Sequence, residues 1–241
     1  PFFILISVEI KYKNLVKMGS IGKSWSYAYT PFLDNFIREL RNAKEVQLIG
    51  RDDEIKRIEQ VLARERQDNV LLVGRPGVGR TTLIEQFAKR LYWGQSLKQL
   101  NNRRVVELVL VGMTEQDLRR ALDEAVRAGN IVLVIEELQS YTHLFPLFLP
   151  YLDAKEFQLI AVTDYEGYHY KLKPFGDILR VFERIEVSEP TPPETLQILE
   201  FTAYAMGLEV TKEVLEEVVK RTDQLIQNVP QPEKSIDLLE E

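Results

Sequence analysis

The residues best suited to chemistry lie in a glycine-rich segment at 74–82, which reads GRPGVGRTT. The segment follows a short apolar run and precedes a helix-like pattern, which is the context that a phosphate-binding loop requires. Gly74, Gly77 and Gly79 let the backbone curl so that successive N–H groups point at an anion. The pattern therefore predicts a nucleotide-binding loop, with the hydroxyl of Thr81 as a ligand of Mg²⁺.

One position of this loop departs from the phosphate-binding pattern. The pattern has a lysine where this sequence has Arg80. A lysine is a compact point charge, whereas a guanidinium is wide and planar, so the exchange is not conservative. We expect this loop to descend from a nucleotide-binding loop. In this chain nucleotide binding is expected to be weakened, and nucleotide hydrolysis to be weakened further. The loop residues expected to contact nucleotide are Pro76, Gly77, Val78, Gly79, Arg80, Thr81 and Thr82.

Two carboxylates, Glu136 and Glu137, end the apolar run at 131–135. In phosphoryl-transfer sites one acid of such a pair holds Mg²⁺ and another group orients the attacking water. Aspartate is usual at the first position, and the extra methylene of Glu136 displaces a metal-holding group where small misplacements are costly. We predict Glu136 as a metal ligand together with Thr81, and Glu137 as the catalytic base. The alternative is that the two acids merely open the next helix.

Short apolar runs alternate with amphipathic stretches through most of the chain. The predicted strands are 70–73, 105–111, 131–135, 159–162 and 185–187. The helix-like segments between them are 81–92, 114–128 and 144–153. This alternation predicts an α/β fold, with a five-stranded, mostly parallel P-loop sheet flanked by helices.

After Pro190 the pattern changes to helices alone, beginning at a Thr-Pro-Pro-Glu start signal. These helices are expected to form a small C-terminal subdomain, which we call the lid. The predicted organisation is an N-terminal lead segment at 1–29, an α/β nucleotide-binding core at 30–189 and the lid at 190–241.

The chain begins at Pro1 with an apolar run at 1–8. A transmembrane helix needs about 20 residues, so this run is too short to span a bilayer and is expected to form a strand. The alternative is the end of a membrane helix, with Lys11, Lys13 and Lys17 as its cytoplasmic flank. We expect the sequence to be a piece of a longer protein, in which an upstream segment could tether it to a membrane.

Composition narrows the classes of protein. The 241 residues include 31 Lys and Arg, 37 Asp and Glu and no Cys. Such proportions exclude disordered and fibrous classes, and the net charge of −6 argues against nucleic acid as a partner. The absence of cysteine excludes disulfides and a cysteine nucleophile. A cytoplasmic location is expected.

Several separate motifs, in order along the chain, carry a resemblance to a known family. They are residues 30–34, 48–55, 69–82, 130–138, 159–164, 177–190 and 232–238. Together they resemble the first ATPase module of Clp-type AAA+ unfoldases. The resemblance covers roughly 30–241 and implies a hexameric, ATP-driven machine that pulls proteins through a central pore and often feeds a protease.

The resemblance also implies roles for residues outside the loop and the acidic pair. Ile49 and Gly50 would line the adenine pocket. Thr163 would take the sensor position after the fourth strand, and Arg180 would be an arginine finger that reaches a neighbouring subunit's nucleotide. Lys234 lies in the lid segment that would close on the nucleotide.

The sequence departs from the family pattern at four places. Two are Arg80 in the loop and Glu136 in the acidic pair. The third is Val181, which stands where a second finger arginine is usual. The fourth is the segment at 110–114, which is short and contains no aromatic residue where the family has a pore loop. Together these changes predict a module that hydrolyses ATP poorly and does not grip substrate.

Three hypotheses follow. The first is a weak or inactive ATPase that acts as a scaffold or regulator in a larger protein. Its partners would be other AAA+ subunits or an adjacent ATPase module, with a protein substrate or protease further on. The second is an active Clp chaperone, and the third is a structural interaction domain with an empty pocket. Bound ATP or ADP with Mg²⁺ and no cofactor at all are left equally open.

Overall fold

The computed structural model describes residues 30–42, 48–101, 103–152, 154 and 156–241. The lead segment at 1–29 and its apolar run therefore lie outside the described residues. Within the described ranges, no helix combines the length and the apolar character needed to cross a membrane.

A six-stranded sheet forms the centre of the fold. Its strands are β1 Ile37–Glu39, β2 Asn69–Val73, β3 Arg104–Leu108, β4 Ile131–Ile135, β5 Gln158–Thr163 and β6 Phe182–Glu186. The spatial order is β1-β3-β4-β5-β2-β6, and all neighbouring pairs are parallel except β1 with β3. Every residue of β2, β4 and β5 is buried, because helices cover both faces of a parallel sheet.

The structure confirms the mostly parallel α/β fold and adds one strand to the five that were predicted. The additional strand β1 is three residues long and has Arg38 at its centre, so it lacks the apolar run by which the other strands are recognised. The strand boundaries differ most in β3 and β6. Strand β3 ends at Leu108 rather than 111. Strand β6 covers 182–186 rather than 185–187, because its polar residues Glu183 and Arg184 interrupt the apolar run by which a strand is recognised.

Eight α-helices occur in the described residues. They are α1 Asp52–Leu62, α2 Arg80–Tyr92, α3 Glu115–Ala128, α4 Phe145–Leu152, α5 Gly176–Leu179, α6 Pro192–Met206, α7 Lys212–Leu225 and α8 Glu233–Glu240. Helix α3 begins with a reciprocal capping box between Thr114 and Asp117 and ends at Gly129 in the left-handed region. Helix α6 likewise starts after Thr191, whose N–H donates to Glu194 at 2.7 Å.

Two apolar layers lie on opposite faces of the sheet. One is formed with α1 and α2 and includes Ile55 and Phe87. The other is formed with α3 and α4 and includes Leu122, Phe145 and Phe148. Because both layers press on the same buried strands, the ends of those strands are held at fixed positions relative to one another.

The lid helices α6, α7 and α8 pack around a small core of their own, formed by Leu199, Leu215 and Val219. A linker at 187–191 joins this group to β6. The N–H of Val187 still pairs with the carbonyl of Val73 at 2.8 Å. The separate core supports our division at 189/190, which remains a proposal.

Candidate nucleotide site

The glycine-rich segment forms a turn between β2 and α2. Gly77 and Gly79 have φ of 88° and 92°, a conformation that side chains other than glycine adopt only at a cost. Gly79 directly precedes α2, so the free N–H groups of the first helical turn lie at the end of the loop. This arrangement of backbone donors suits an anion such as a phosphate.

Gly74 is required for a different reason from the one predicted. Its φ is not in the left-handed region. Instead, a Cβ on Gly74 would lie 2.5 Å from the carbonyl oxygen of Val187, and the N–H of Gly74 donates to the carbonyl of Thr163 at 3.3 Å. The loop therefore starts in backbone contact with both neighbouring strands.

The two predicted metal ligands, Thr81 in the first turn of α2 and Glu136 directly after β4, lie next to each other. The hydroxyl of Thr81 donates to Oε1 of Glu136 at 3.0 Å. Burial raises the pKa of the Glu136 carboxyl, while the bond from Thr81 and the charge of Arg80 oppose the rise. Carboxylate and hydroxyl oxygens are suitable ligands for Mg²⁺, so the pair fits the predicted metal.

Arg80 is the first residue of α2 and is half-buried. Within the described residues its guanidinium makes no hydrogen bond or ion pair, although it lies close enough to affect the pKa of Glu136. It lines a cleft of about 350 Å³, whose walls are Arg80, Thr81, Glu107, Leu108, Val109, Leu110, Val111, Glu136, Glu137 and Tyr141. An unpaired cation beside a phosphate-binding loop can accept an anionic group.

Glu137 occupies the left-handed region at φ 50° and ψ 47°, which is uncommon for a residue other than glycine. It is exposed and lines the same cleft. The segment that follows is a single 3₁₀ turn, Leu138–Ser140. The acidic pair therefore does not open an α-helix, and α4 begins only at Phe145.

An ionic group beside the acidic pair was missed in the sequence. Nε of Arg38 on β1 donates to Glu107 on β3 at 2.7 Å, and its Nη1 donates to Glu85 on α2 at 3.0 Å. The charge of Glu107 adds to the rise in the Glu136 pKa and that of Arg38 opposes it. The available signal was Glu107, a carboxylate inside an otherwise apolar run.

The lid reaches the loop through residues other than the predicted one. The carboxylate of Glu233 lies so close to Gly77 that any side chain on Gly77 would collide with it. Nζ of Lys234 is instead bonded within the lid, at 2.8 Å from Asp223 and 3.3 Å from the carbonyl of Ile226. The Lys234 ammonium is therefore engaged within the lid. Its contact with nucleotide stays a prediction, and would require it to leave these partners.

The predicted adenine pocket lies where the core meets the lid. Gly50 has φ 67°, and a side chain there would collide with the Glu194 carboxylate of α6. Ile49 beside it is half-buried. The adjoining depression is lined mainly by charged residues, namely Gly50, Asp53, Glu54, Arg57, Arg184, Ile185 and Glu186. Adenine binding at Ile49 and Gly50 stays a prediction.

The remaining two predicted residues lie at opposite ends of the sheet. Thr163 is fully buried at the end of β5 and pairs in register with Val73, next to the loop. Arg180 precedes β6, at the end of the sheet away from the loop. Its side chain is 74% exposed, with Asp177 at 3.8 Å. The structure does not bring Arg180 to the site of its own chain, so action on a neighbouring subunit stays a prediction.

Comparison with known proteins agrees with this architecture. Residues 70–144, which hold the loop and the acidic pair, match the ATPase family associated with various cellular activities (AAA). The chain is 32% identical to the chaperone protein ClpB of Oceanobacillus iheyensis over 95% of its own length. It is 32% identical to the negative regulator of genetic competence ClpC/MecB of Bacillus subtilis over 90%. The chain is a Clp-type AAA+ module.

The Clp-type module corresponds to only part of these proteins, since it covers 32% of that ClpB and 30% of that ClpC/MecB. Two solved structures share its fold. One is the S. cerevisiae Hsp104:casein complex in the extended conformation, with a TM-score of 0.78 and 23% identity over 86% of this chain and 40% of that one. The other is the S. cerevisiae Hsp104-ADP complex, with a TM-score of 0.76 and 24% identity over 86% and 32%.

Proposed function

We propose that this Clp-type module binds adenine nucleotide weakly in the cleft beside the phosphate-binding loop and hydrolyses it poorly or not at all. The bond between Thr81 and Glu136 carries the proposal. A metal bound by both oxygens would have to break the hydrogen bond between them and displace any proton held by the carboxyl, whose pKa is raised. Both requirements weaken metal binding at the site.

The residues present nevertheless fit a nucleotide. The backbone of Gly77 and Gly79 and the free end of α2 suit phosphate groups, and Arg80 supplies a half-buried cation at the start of that helix. Thr81 and Glu136 would hold Mg²⁺, which when bound would neutralise phosphate charge. Glu137 would orient a water, but its strained backbone and its exposure to solvent leave it poorly positioned.

Within a larger protein, such a module would act as a scaffold or regulator. The relatives include an ATP-dependent Clp protease ATP-binding subunit, ClpC of Staphylococcus epidermidis, 30% identical over 88% of this chain and 29% of that protein. By analogy, the partners would be other AAA+ subunits or an adjacent ATPase module, and through them a protease and its protein substrates. The exposed Arg180 supports a contact with a neighbouring subunit.

One observation favours the alternative of an interaction domain with an empty pocket. The Glu233 carboxylate lies against Gly77, so an acidic group stands beside the loop, where it would oppose the approach of a phosphate. If that contact persists in solution, anions would be repelled and the fold would serve only as a docking surface.

Calorimetric titration with ATP and ADP, with and without Mg²⁺, together with a phosphate-release assay, tests the proposal. We expect weak binding that depends little on Mg²⁺, and phosphate release close to background. The variant Arg80→Lys should strengthen binding and the dependence on Mg²⁺, while Arg119→Lys on the exposed face of α3 serves as the matched control. Robust turnover by the unaltered chain would establish the active-chaperone alternative. No response to any nucleotide would establish the empty pocket.

A further inference from the structure

A buried arginine lies beneath the phosphate-binding loop. Arg51, which directly precedes α1, is only 7% exposed. Its Nη2 donates to the carbonyl of Val78 in the loop at 3.0 Å and to the carbonyl of Ser188 in the linker at 2.6 Å. Its Nη1 pairs with Glu54 at 3.0 Å. One guanidinium thus joins α1, the loop and the segment that leads into the lid.

The burial of Arg51 makes this contact specific. A buried cation is costly unless its donors are satisfied, and here two carbonyls and one carboxylate accept them. The planar guanidinium presents several donors in a fixed geometry, which a lysine cannot reproduce. The carbonyl of Val78 is also held by Arg51, so it is not free to face an anion in the loop.

Other contacts show that the loop and the linker form one junction. Gly74 touches the carbonyl of Val187. Arg75 pairs with Glu189 at 2.9 Å and donates to the carbonyl of Asn228 at 3.1 Å. These Arg75 contacts are exposed, and exposed pairs contribute little. Of the two arginines in the junction, Arg51 is the buried one, so it has the stronger influence on the geometry.

We propose that Arg51 is a positioning residue that sets the shape of the phosphate-binding loop and the orientation of the lid together. Without it, Val78 and Ser188 lose their common donor, and the Arg75 contacts that remain between loop and linker side chains are exposed. The part that concerns nucleotide affinity rests on the function proposed above. The part that concerns lid orientation does not.

The absence of cysteine allows a direct test of orientation. Arg119→Cys on α3 and Lys212→Cys on α7, both exposed, accept spin labels for electron–electron distance measurement. In the nucleotide-free protein we expect a narrow distribution of distances, which broadens in Arg51→Met. The matched control is Arg64→Met, two residues after the end of α1, where an exposed arginine pairs with Glu183. It should leave the distribution unchanged.

Fluorescent ADP provides the second measurement. Arg51→Met should weaken its binding by about tenfold, as expected for a displaced set of backbone donors, and Arg64→Met should not. If Arg51→Met does not fold, Arg51→Lys should fold and show the same broadening to a lesser degree. An unchanged distance distribution in a folded Arg51 variant would overturn the proposal. Absence of ADP binding in the unaltered chain would overturn the proposed function while leaving the distance result intact.

Discussion

The two sides of the candidate site are held in place by different kinds of contact. On the sheet side, Thr81 in the first turn of α2 and Glu136 directly after β4 lie at the same end of one hydrogen-bonded sheet and meet at 3.0 Å. On the lid side, the predicted residue Lys234 is bonded to Asp223, and Glu233 contacts the loop instead. The order and register of the strands determine the contact on the sheet side. On the lid side, the contact depends on which partners the side chains take where loop and lid pack together.

The largest expected effect is on the free energy of unfolding, and it compares a core substitution on the sheet side with one in the lid. Phe87 is completely buried against the sheet, so Phe87→Ala should lower the free energy of unfolding by about 4 kcal/mol. Leu215→Ala, in the three-residue core of the lid, should cost about 3 kcal/mol but act mainly on the lid. Urea denaturation followed by hydrogen exchange distinguishes them. Equal loss of protection in both regions of the Leu215 variant would show that core and lid unfold as one unit.

The next effect concerns the lid network. Burial by itself raises the pKa of Asp223, but hydrogen bonds from Lys234 and Gln231 lower it below its usual value. Asp223→Ala leaves the Lys234 ammonium, whose side chain is 8% exposed, without its carboxylate, and should cost about 2 kcal/mol. Thermal unfolding measures this loss. Asp237→Ala, an exposed change in the same lid, is the control.

For Asp223 the sign of the pH dependence follows from the lowered pKa. The stabilisation is present above the unfolded pKa of aspartate and is lost as the pH falls through the lower folded value. Acid titration of stability should therefore show a smaller loss in Asp223→Ala than in the unaltered chain. Identical acid profiles would contradict the assignment.

The contact between loop and lid can be broken at Gly77. Gly77→Ala should cost about 1–2 kcal/mol, because alanine at φ 88° is strained and its methyl group meets Glu233. In the double variant with Glu233→Ala, the collision with the carboxylate is removed, whereas the backbone strain and the close approach to the Cβ of residue 233, at 2.9 Å, remain. The difference between the two in chemical denaturation measures the steric part. If removal of Glu233 recovers nothing, the carboxylate is not held against the loop in solution.

The smallest expected effect is on the pH dependence of Mg²⁺-dependent nucleotide binding, through the carboxyl of Glu136. Because the pKa of Glu136 is raised, chiefly by burial, its carboxyl takes up a proton at a higher pH than an ordinary glutamate at about 4.3. Mg²⁺-dependent nucleotide binding should therefore weaken, by about fivefold, as the pH is lowered toward that value. Glu136→Gln should remove this dependence. A pH-independent effect of Mg²⁺ in the unaltered chain would exclude Glu136 as a ligand.

The raised pKa has the opposite consequence for stability. The folded protein holds the proton on Glu136 more tightly than the unfolded chain does, so this carboxyl contributes less to stability as the pH rises through its folded pKa. Glu136→Gln should therefore flatten the pH profile of unfolding at that point. The two measurements together test whether the pKa of the Glu136 carboxyl is raised in the folded protein.

Much of the fold could be predicted because its signals are local. The apolar runs at β2, β4 and β5 are uninterrupted and buried on both faces, and the capping residues of α3 and α6 lie within three positions of one another. Strand β1 could not be predicted. It is short and polar, and it exists because residues 37–39 pair with β3, which is a long-range contact.

The sequence by itself determined the α/β class, the phosphate-binding loop and the acidic pair, since each is a continuous pattern read within a few residues. Only the tertiary structure decided the partners of the side chains. It placed Arg51 beneath Val78, Arg38 beside Glu107 and Lys234 on Asp223. Each of these bonds depends on which elements pack together and at what register, and a charged side chain takes whichever partner satisfies it at the least cost of desolvation.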